Sequence, residues 1–242
     1  MKVYSKTDIG LVRASNQDAC DFQEISDDSV WAVVCDGMGG ANGGNIASQL
    51  AIEQIRKYIC SNYNSEMGFE EIKQFLESAV ESANKIIYEK SKKDINLFGM
   101  GTTIVLTLIK GGIVHIVNVG DSRAYLVSDI NINQITTDHS VVQEMVSSGE
   151  ITKEEAKNHP QKNIITRALG VNKVVKIDYI NKVIQKEEML LLCTDGLTNY
   201  ITPRQIREMC SKYKKDELVE KMILQAKEMG GEDNITVIII GQ

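Results

Sequence analysis

Proline is almost missing from this chain, with two in 242 residues. With it go the Pro-rich linkers that join separate domains, and no low-complexity tract or repeat of fixed period takes their place. The length suffices for a good core, and residues 1–242 read as one domain. Nor is there an apolar run near the roughly 18 residues that span a bilayer. The opening MKVYSKTDIG has no signal-peptide apolar region, so the expectation is a cytoplasmic protein with no membrane partner. Cysteines are five, at 20, 35, 60, 193 and 210, an odd number with no CxxC pair. They read as reduced core thiols, Cys35 and Cys193 lying inside apolar strands. Positive charge is also short. The 27 Lys plus Arg against 33 Asp plus Glu give a formal charge of -6, which argues against nucleic acid as a partner.

What is present in quantity is glycine beside aspartate. Residues 30–44 read VWAVVCDGMGGANGG, an apolar strand buried on both faces that delivers Asp36 into a run of glycines. An ionised carboxylate at the mouth of an apolar core requires a cation, a metal or dense hydrogen bonding. The glycines at 37, 39, 40, 43 and 44 let the backbone bend tightly and bring a carbonyl close to whatever Asp36 holds. Asp-Gly after a strand is equally a hairpin signal. Dinucleotide binding through G-x-G-x-x-G from Gly37 fails, because Asn42 stands at the third glycine and the preceding acid repels a pyrophosphate.

The device recurs. MLLLCTDG at 189–196 delivers Asp195 into glycine, HIVNVGD ends at Asp121, and GGEDN at 230–234 sets Asp233 before the apolar strand 235–240. Four strand-edge aspartates read as four unrelated turns or as one acidic metal cluster. Hard divalent cations take such oxygen ligands, and a pair of them bridged by an acid activates water against phosphate.

The remaining chain supplies two helix pairs around a set of strands. Strands are expected at 2–7 and leading to Phe22, and apolar stripes predict helices at 45–63 and 69–92. Runs at 102–109, 113–119, 124–127 and 132–136 have connections too short for crossover helices and predict an antiparallel meander. Helices follow at 202–213 and 215–229, the first with Thr202, Pro203 and Gln205 as its capping signal. The economical solution is two sheets packed face to face with helices outside each. Residues 139–170 are the least regular, with short helical signals at 140–148 and 152–157. His139 and His159 there read as structural hydrogen-bonders rather than acid or base.

Taken together, Arg13-x-x-Asn16-Gln17-Asp18, Asp36-Gly37-Met38-Gly39-Gly40, Gly99-x-Gly101-Thr102-Thr103, Gly120-Asp121-Ser122-Arg123, Thr194-Asp195-Gly196 and Asp233-Asn234 resemble the type 2C metal-dependent protein serine/threonine phosphatases, most of all their compact bacterial members. The resemblance implies an α+β fold, a four-layer α-β-β-α sandwich of two antiparallel sheets flanked by helix pairs, with a mobile flap at about 139–170. It implies hydrolysis of phosphoserine and phosphothreonine in proteins by a water held between two Mn²⁺ or Mg²⁺ ions. Asp36 would bridge them, with the Gly37 carbonyl on one and Asp195 and Asp233 on the other. Arg13 would grip the substrate phosphate, Asp18 would hold metal-bound waters, and Asp121 with Asp195 would share a third, weaker ion. Many relatives carry histidine where Met38 stands, and a thioether cannot give the leaving oxygen a proton, which leaves a water on the third ion as source. Expected partners are phosphoprotein substrates, among them a bacterial serine/threonine kinase and its targets, acted on by a monomer. The alternatives are a catalytically silent scaffold of the same fold and a two-metal phosphodiesterase.

Overall fold

The apolar run at 30–35 forms the middle of β3 (Ser29–Met38), and its alternate side chains enter two different cores. In this computed structural model, which describes residues 1–241 but not the side chains of Ala41 and Asn42, Trp31, Val33 and Cys35 face the helices α1 (Gly40–Asn62) and α2 (Phe69–Lys93). Val30, Ala32 and Val34 face the opposite way, against Leu190, Leu192, Ile238 and Ile240 of a second sheet. Period-two side-chain alternation in a strand buried on both faces requires this division.

Around β3 the first sheet runs in the order β2 (Asp18–Ser26), β3, β5 (Ile104–Lys110), β6 (Ile113–Val119), β9 (Asp178–Val183), with the short β4 (Gly101–Thr102) paired to the end of β3. The second runs β1 (Lys2–Asp8), β11 (Ile235–Gly241), β10 (Met189–Cys193), β7 (Arg123–Val127), β8 (Ile132–Gln134). Every pairing is antiparallel. After β10 comes the short α5 (Asp195–Thr198), and helices α6 (Pro203–Lys212) and α7 (Lys215–Glu228) cover the second sheet's outer face through Ile206, Leu218 and Met222. The expected α-β-β-α sandwich is therefore the fold. The capping box of α6 forms as its sequence predicts, Thr202 accepting from the Gln205 amide with Pro203 in the first turn.

Three expectations fail for physical reasons. The strands over 102–136 are not one meander. β5 and β6 pair in the first sheet, whereas β7 and β8 belong to the second, and the chain crosses between them at 120–122. A short connection fits a hairpin and a crossing between facing sheets equally well. Burial decides, since β7 is apolar on both faces and takes the equally apolar β10 as neighbour. Helix α1 starts at Gly40 rather than at 45, inside the glycine run. The glycines there serve contact as well as bending, for a Cβ on Gly44 would lie 2.6 Å from the Gly37 carbonyl oxygen. Finally, Cys60 is exposed and Cys20 only half-buried, so the core thiols are Cys35, Cys193 and Cys210, all five being free.

Edge strand β9 has no expectation in the sequence, because its half-buried and exposed residues show no alternation. The stretch 139–170 carries α3 (Val141–Ser148) and α4 (Lys153–Lys157), neither with a buried residue. A bridge between Ser140 and Ile165 joins its two arms, and one between Thr102 and Leu169 returns it to the body.

Candidate active site

The ends of β3, β6 and β10 and the start of β11 bring the strand-edge aspartates to one cleft of about 510 Å³. Arg13, Asp36, Gly37, Asp121, Asp195 and Asp233 all line it, as do Met38 and, from the stretch 139–170, Asn163 and Ile165. Asp18 lies at its base, 4% exposed and directly opposite Asp36 in the β2–β3 register.

Each aspartate is set by a local feature. Asp36 is fixed by a reciprocal contact with Thr103, whose hydroxyl accepts from the Asp36 amide (2.9 Å) and whose amide donates to the Asp36 carbonyl (2.8 Å). Gly37 follows in a space that admits no side chain, since a Cβ there would stand 2.1 Å from the Gly44 carbonyl oxygen. Asp121 rides the crossing between sheets, where Gly120 takes φ 111° in the region that favours glycine. Asp195 follows the buried Thr194, and its Oδ2 accepts from the Asn199 amide group at 3.0 Å. Arg13 is exposed and pairs with Asp233 across the cleft mouth (Nη2 to Oδ2, 2.8 Å).

Asp18 links the two sheets. Its Oδ2 accepts from the hydroxyls of Thr194 (2.8 Å) and Thr236 (2.7 Å), which belong to the second sheet's side of the sandwich. Its Oδ1 is buried with no hydrogen-bond partner, and so is Oδ1 of Asp195. A buried carboxylate oxygen left unpaired is costly unless a cation answers it.

The electrostatics agree. Burial first, then the charges of Asp18, Asp195, Asp121 and Asp233, hold the Asp36 carboxyl well above the usual carboxylate range. Burial pushes Asp18 up to about 7 against the pull of its two threonine hydrogen bonds, the charges of Asp195 and Asp233 adding to it. Burial also pushes Asp121 up to about 8, helped by the charges of Asp195 and Asp138 and opposed by Arg123. Asp195 is likewise raised, by burial and then by Asp233. Such shifts mark negative charge gathered without compensation. Among the described residues, no three acidic, histidine or cysteine side chains form a ready group around one ion. Oxygen donors, two orphaned buried carboxylate oxygens and uncompensated negative charge are what hard divalent ions such as Mg²⁺ or Mn²⁺ answer, so the donor set fits them.

Several residues beside the aspartates belong to the site. Thr103 braces Asp36 and shares a hydrogen with Ser122 (Oγ1 to Oγ, 2.7 Å), next to Asp121. Asn234 accepts from the Gln17 amide (2.8 Å) and donates to the carbonyls of Ile9 and Ser15, which ties the Arg13 loop to β11. Thr194 and Thr236 had one available signal, hydroxyls at inward positions of otherwise apolar strands. His139 is a buried hydrogen-bonder, accepting at Nδ1 from the Gly120 amide (3.0 Å).

The donor set of this strand-end acidic cleft between two facing sheets suits hard divalent ions, and the comparisons say to which family such a cleft belongs. A family model described as protein phosphatase 2C matches residues 12–232. The chain is 40% identical over 238 residues to the serine/threonine phosphatase stp of Listeria monocytogenes serotype 4b (strain F2365), covering 97% of this chain and 93% of that protein. It is 33% identical to protein phosphatase PhpP of Streptococcus pneumoniae serotype 2 (strain D39 / NCTC 7466), covering 99% and 97%. The solved serine/threonine phosphatase Stp1 of Staphylococcus aureus superposes with a TM-score of 0.94 at 33% identity, covering 100% of this chain and 94% of that one. The Ser-Thr phosphatase MsPP of Mycobacterium smegmatis, solved with cacodylate, gives 0.84 at 31% identity, covering 100% and 98%. The chain belongs to the protein phosphatase 2C family and is a protein serine/threonine phosphatase.

Proposed function

We propose that this phosphatase removes phosphate from phosphoserine and phosphothreonine in proteins with a pair of Mn²⁺ or Mg²⁺ ions, in opposition to a bacterial serine/threonine kinase. The carrying observation is one cleft that gathers Asp36, Asp121, Asp195 and Asp233 above Asp18, with the pKa of its carboxyls raised and two buried carboxylate oxygens unpaired. Asp36, the Gly37 carbonyl, Asp195 and Asp233 would hold the pair, and Asp121 with Asp195 a third, weaker ion. Bound there, the ions supply a water acidic enough to attack phosphorus at neutral pH and positive charge against the phosphoryl oxygens.

The chain's own residues do the rest. Arg13 reaches the cleft mouth on an exposed loop, and its guanidinium fork exchanges Asp233 for two phosphate oxygens of the substrate. Asp18, clamped by Thr194 and Thr236, keeps one oxygen free to orient water. Met38 has no proton to give the departing serine or threonine oxygen, and Asp121 would serve that step indirectly, by helping to hold the third ion, whose bound water would be acidic enough to supply it. We assign residues 1–242 to one catalytic domain, with 139–170 as its flap, acting as a monomer in the cytoplasm. Among the described residues no helix is long and apolar enough to cross a membrane.

Turnover of a phosphothreonine peptide and of a phosphodiester, each with and without Mn²⁺, tests the reading. Hydrolysis of the peptide alone and only with metal is expected. Preferential diester hydrolysis selects the phosphodiesterase, and no turnover of either selects a silent scaffold.

A further inference from the structure

Behind the cleft lies a polar junction that the proposed chemistry leaves unused. His139, 5% exposed, is bound to Gly120 in both directions: the Gly120 amide donates to His139 Nδ1 (3.0 Å), and the His139 amide donates to the Gly120 carbonyl (2.9 Å). The His139 carbonyl in turn accepts from the Thr166 amide (2.8 Å), on the returning arm of the flap. An amide hydrogen bonds only to a lone pair, so Nδ1 is bare and Nε2 carries the hydrogen. Nε2 faces both Asp178 Oδ2 on β9 (3.1 Å) and Arg167 Nη1 (3.0 Å); since Nε2 must carry the hydrogen once Nδ1 accepts from Gly120, that hydrogen goes to Asp178, and Arg167 Nη1, which can only donate, gives its own to the other oxygen of the same carboxylate (2.7 Å). A carboxylate behind a histidine fixes ring tautomer and direction. Burial holds the imidazole's pKa below its ordinary value, in keeping with a neutral ring.

Gly120 immediately precedes Asp121, and Ser122 on the far side is held by Thr103. The three-residue crossing is therefore gripped at both ends. Gly120 is pressed against Thr103 so closely that a Cβ on it would lie 2.6 Å from that side chain. Without an acceptor at Nδ1, the Gly120 amide must turn to find another, and Asp121 turns with it.

We propose that His139 is a positioning residue for Asp121, its Nδ1 lone pair aiming the turn that carries that carboxyl and its backbone joining the turn to the flap. This rests on the assignment of Asp121 to the departing oxygen.

The test compares His139→Asn, whose side-chain oxygen falls near the Nδ1 position, with His139→Gln, whose amide reaches toward Asp178 and leaves Gly120 unanswered. Expected for His139→Gln are an unchanged tight Mn²⁺ pair by calorimetry, a displaced Gly120 amide resonance, and kcat on a phosphopeptide reduced about tenfold or more beyond any loss on an aryl phosphate. His139→Asn should restore most of each. Equal losses in both variants and on both substrates, or an unmoved Gly120 resonance in His139→Gln, overturn the proposal. If Asp121→Ala itself loses both substrates equally, the role given to Asp121 fails, while the Gly120 resonance and the rescue by asparagine still decide whether His139 aims the turn. Should the variants not fold, histidine ¹⁵N shifts of the wild-type protein decide: a bare Nδ1 coupled to the Gly120 amide supports the proposal, and a protonated Nδ1 overturns it.

Discussion

Asp18 and Asp36 stand directly opposite each other in the β2–β3 ladder, two carboxylates where cross-strand like charges are unfavourable. Asp36 enters the cleft, whereas Asp18 is held beneath it by two threonine hydroxyls from the other sheet. Such an arrangement is stable with a proton or a cation nearby and strained without either. Its consequences can be measured on the metal-free protein as well as on the enzyme.

Asp36→Asn, Asp195→Asn and Asp233→Asn should each abolish turnover while the fold survives. Removing one negative charge relieves the repulsion that raises Asp36, so the melting temperature in chelator should hold or rise. Turnover with saturating Mn²⁺ and melting in chelator check both halves. Wild-type activity in any of the three would sink the metal assignment.

The metal-free protein should lose stability as pH rises. Asp18 and Asp121 go from an ordinary value of 3.8 to about 7 and about 8 on folding, so the folded state binds their protons more tightly. That contribution is complete below about pH 4 and is lost as pH climbs to about 8. In chelator the melting temperature should fall from about pH 5 to about pH 8, and Mn²⁺ at the upper end should restore it. In Asp121→Asn the slope should be shallower. An identical slope in that variant contradicts the assignment.

Arg13→Ala should chiefly raise KM, because a bidentate phosphate grip exists in the ground state as well as in the transition state. The lost ion pair with Asp233 is exposed and should change stability by no more than about 1 kcal/mol. Unchanged KM with a collapse of metal affinity would mean that Arg13 serves Asp233 rather than the substrate.

Gly37→Ala should destabilise the protein by at least ~2 kcal/mol, since its Cβ would collide with backbone at Gly44 and at Gln17. Gly99→Ala, in open space at φ 79°, should incur only the ~1–2 kcal/mol of left-handed strain. Denaturant midpoints of the two variants give the comparison, and equal losses would show that close approach is not what Gly37 provides.

Much of this was legible in the chain. The both-faces burial of 30–35, the two helix pairs and the capping box of α6 follow from periodicity and local chemistry alone. The convergence of Asp36, Asp121, Asp195 and Asp233 was only half legible: an apolar strand that ends in aspartate puts its charge at a sheet edge, but four such ends fit four separate turns as well as one cluster, and it was the family resemblance that joined them. The crossing at 120–122 was not legible, since a hairpin and a passage between facing sheets use links of the same length. The role of Thr194 and Thr236 was hidden, although Thr194 stands in the motif Thr194-Asp195-Gly196, because a threonine in or beside an apolar strand is ordinary until its partner, Asp18, is seen across the sandwich. Strand β9 was hidden because an edge strand needs no apolar alternation.

Anomalous scattering from crystals grown with Mn²⁺ tests the central claim most directly. Two strong peaks should stand in the cleft, each about 2.0–2.6 Å from an Asp36 oxygen, one also touching the Gly37 carbonyl and the other Asp195 and Asp233. No peak at Asp36, or a single ion there at saturating Mn²⁺, would contradict the account.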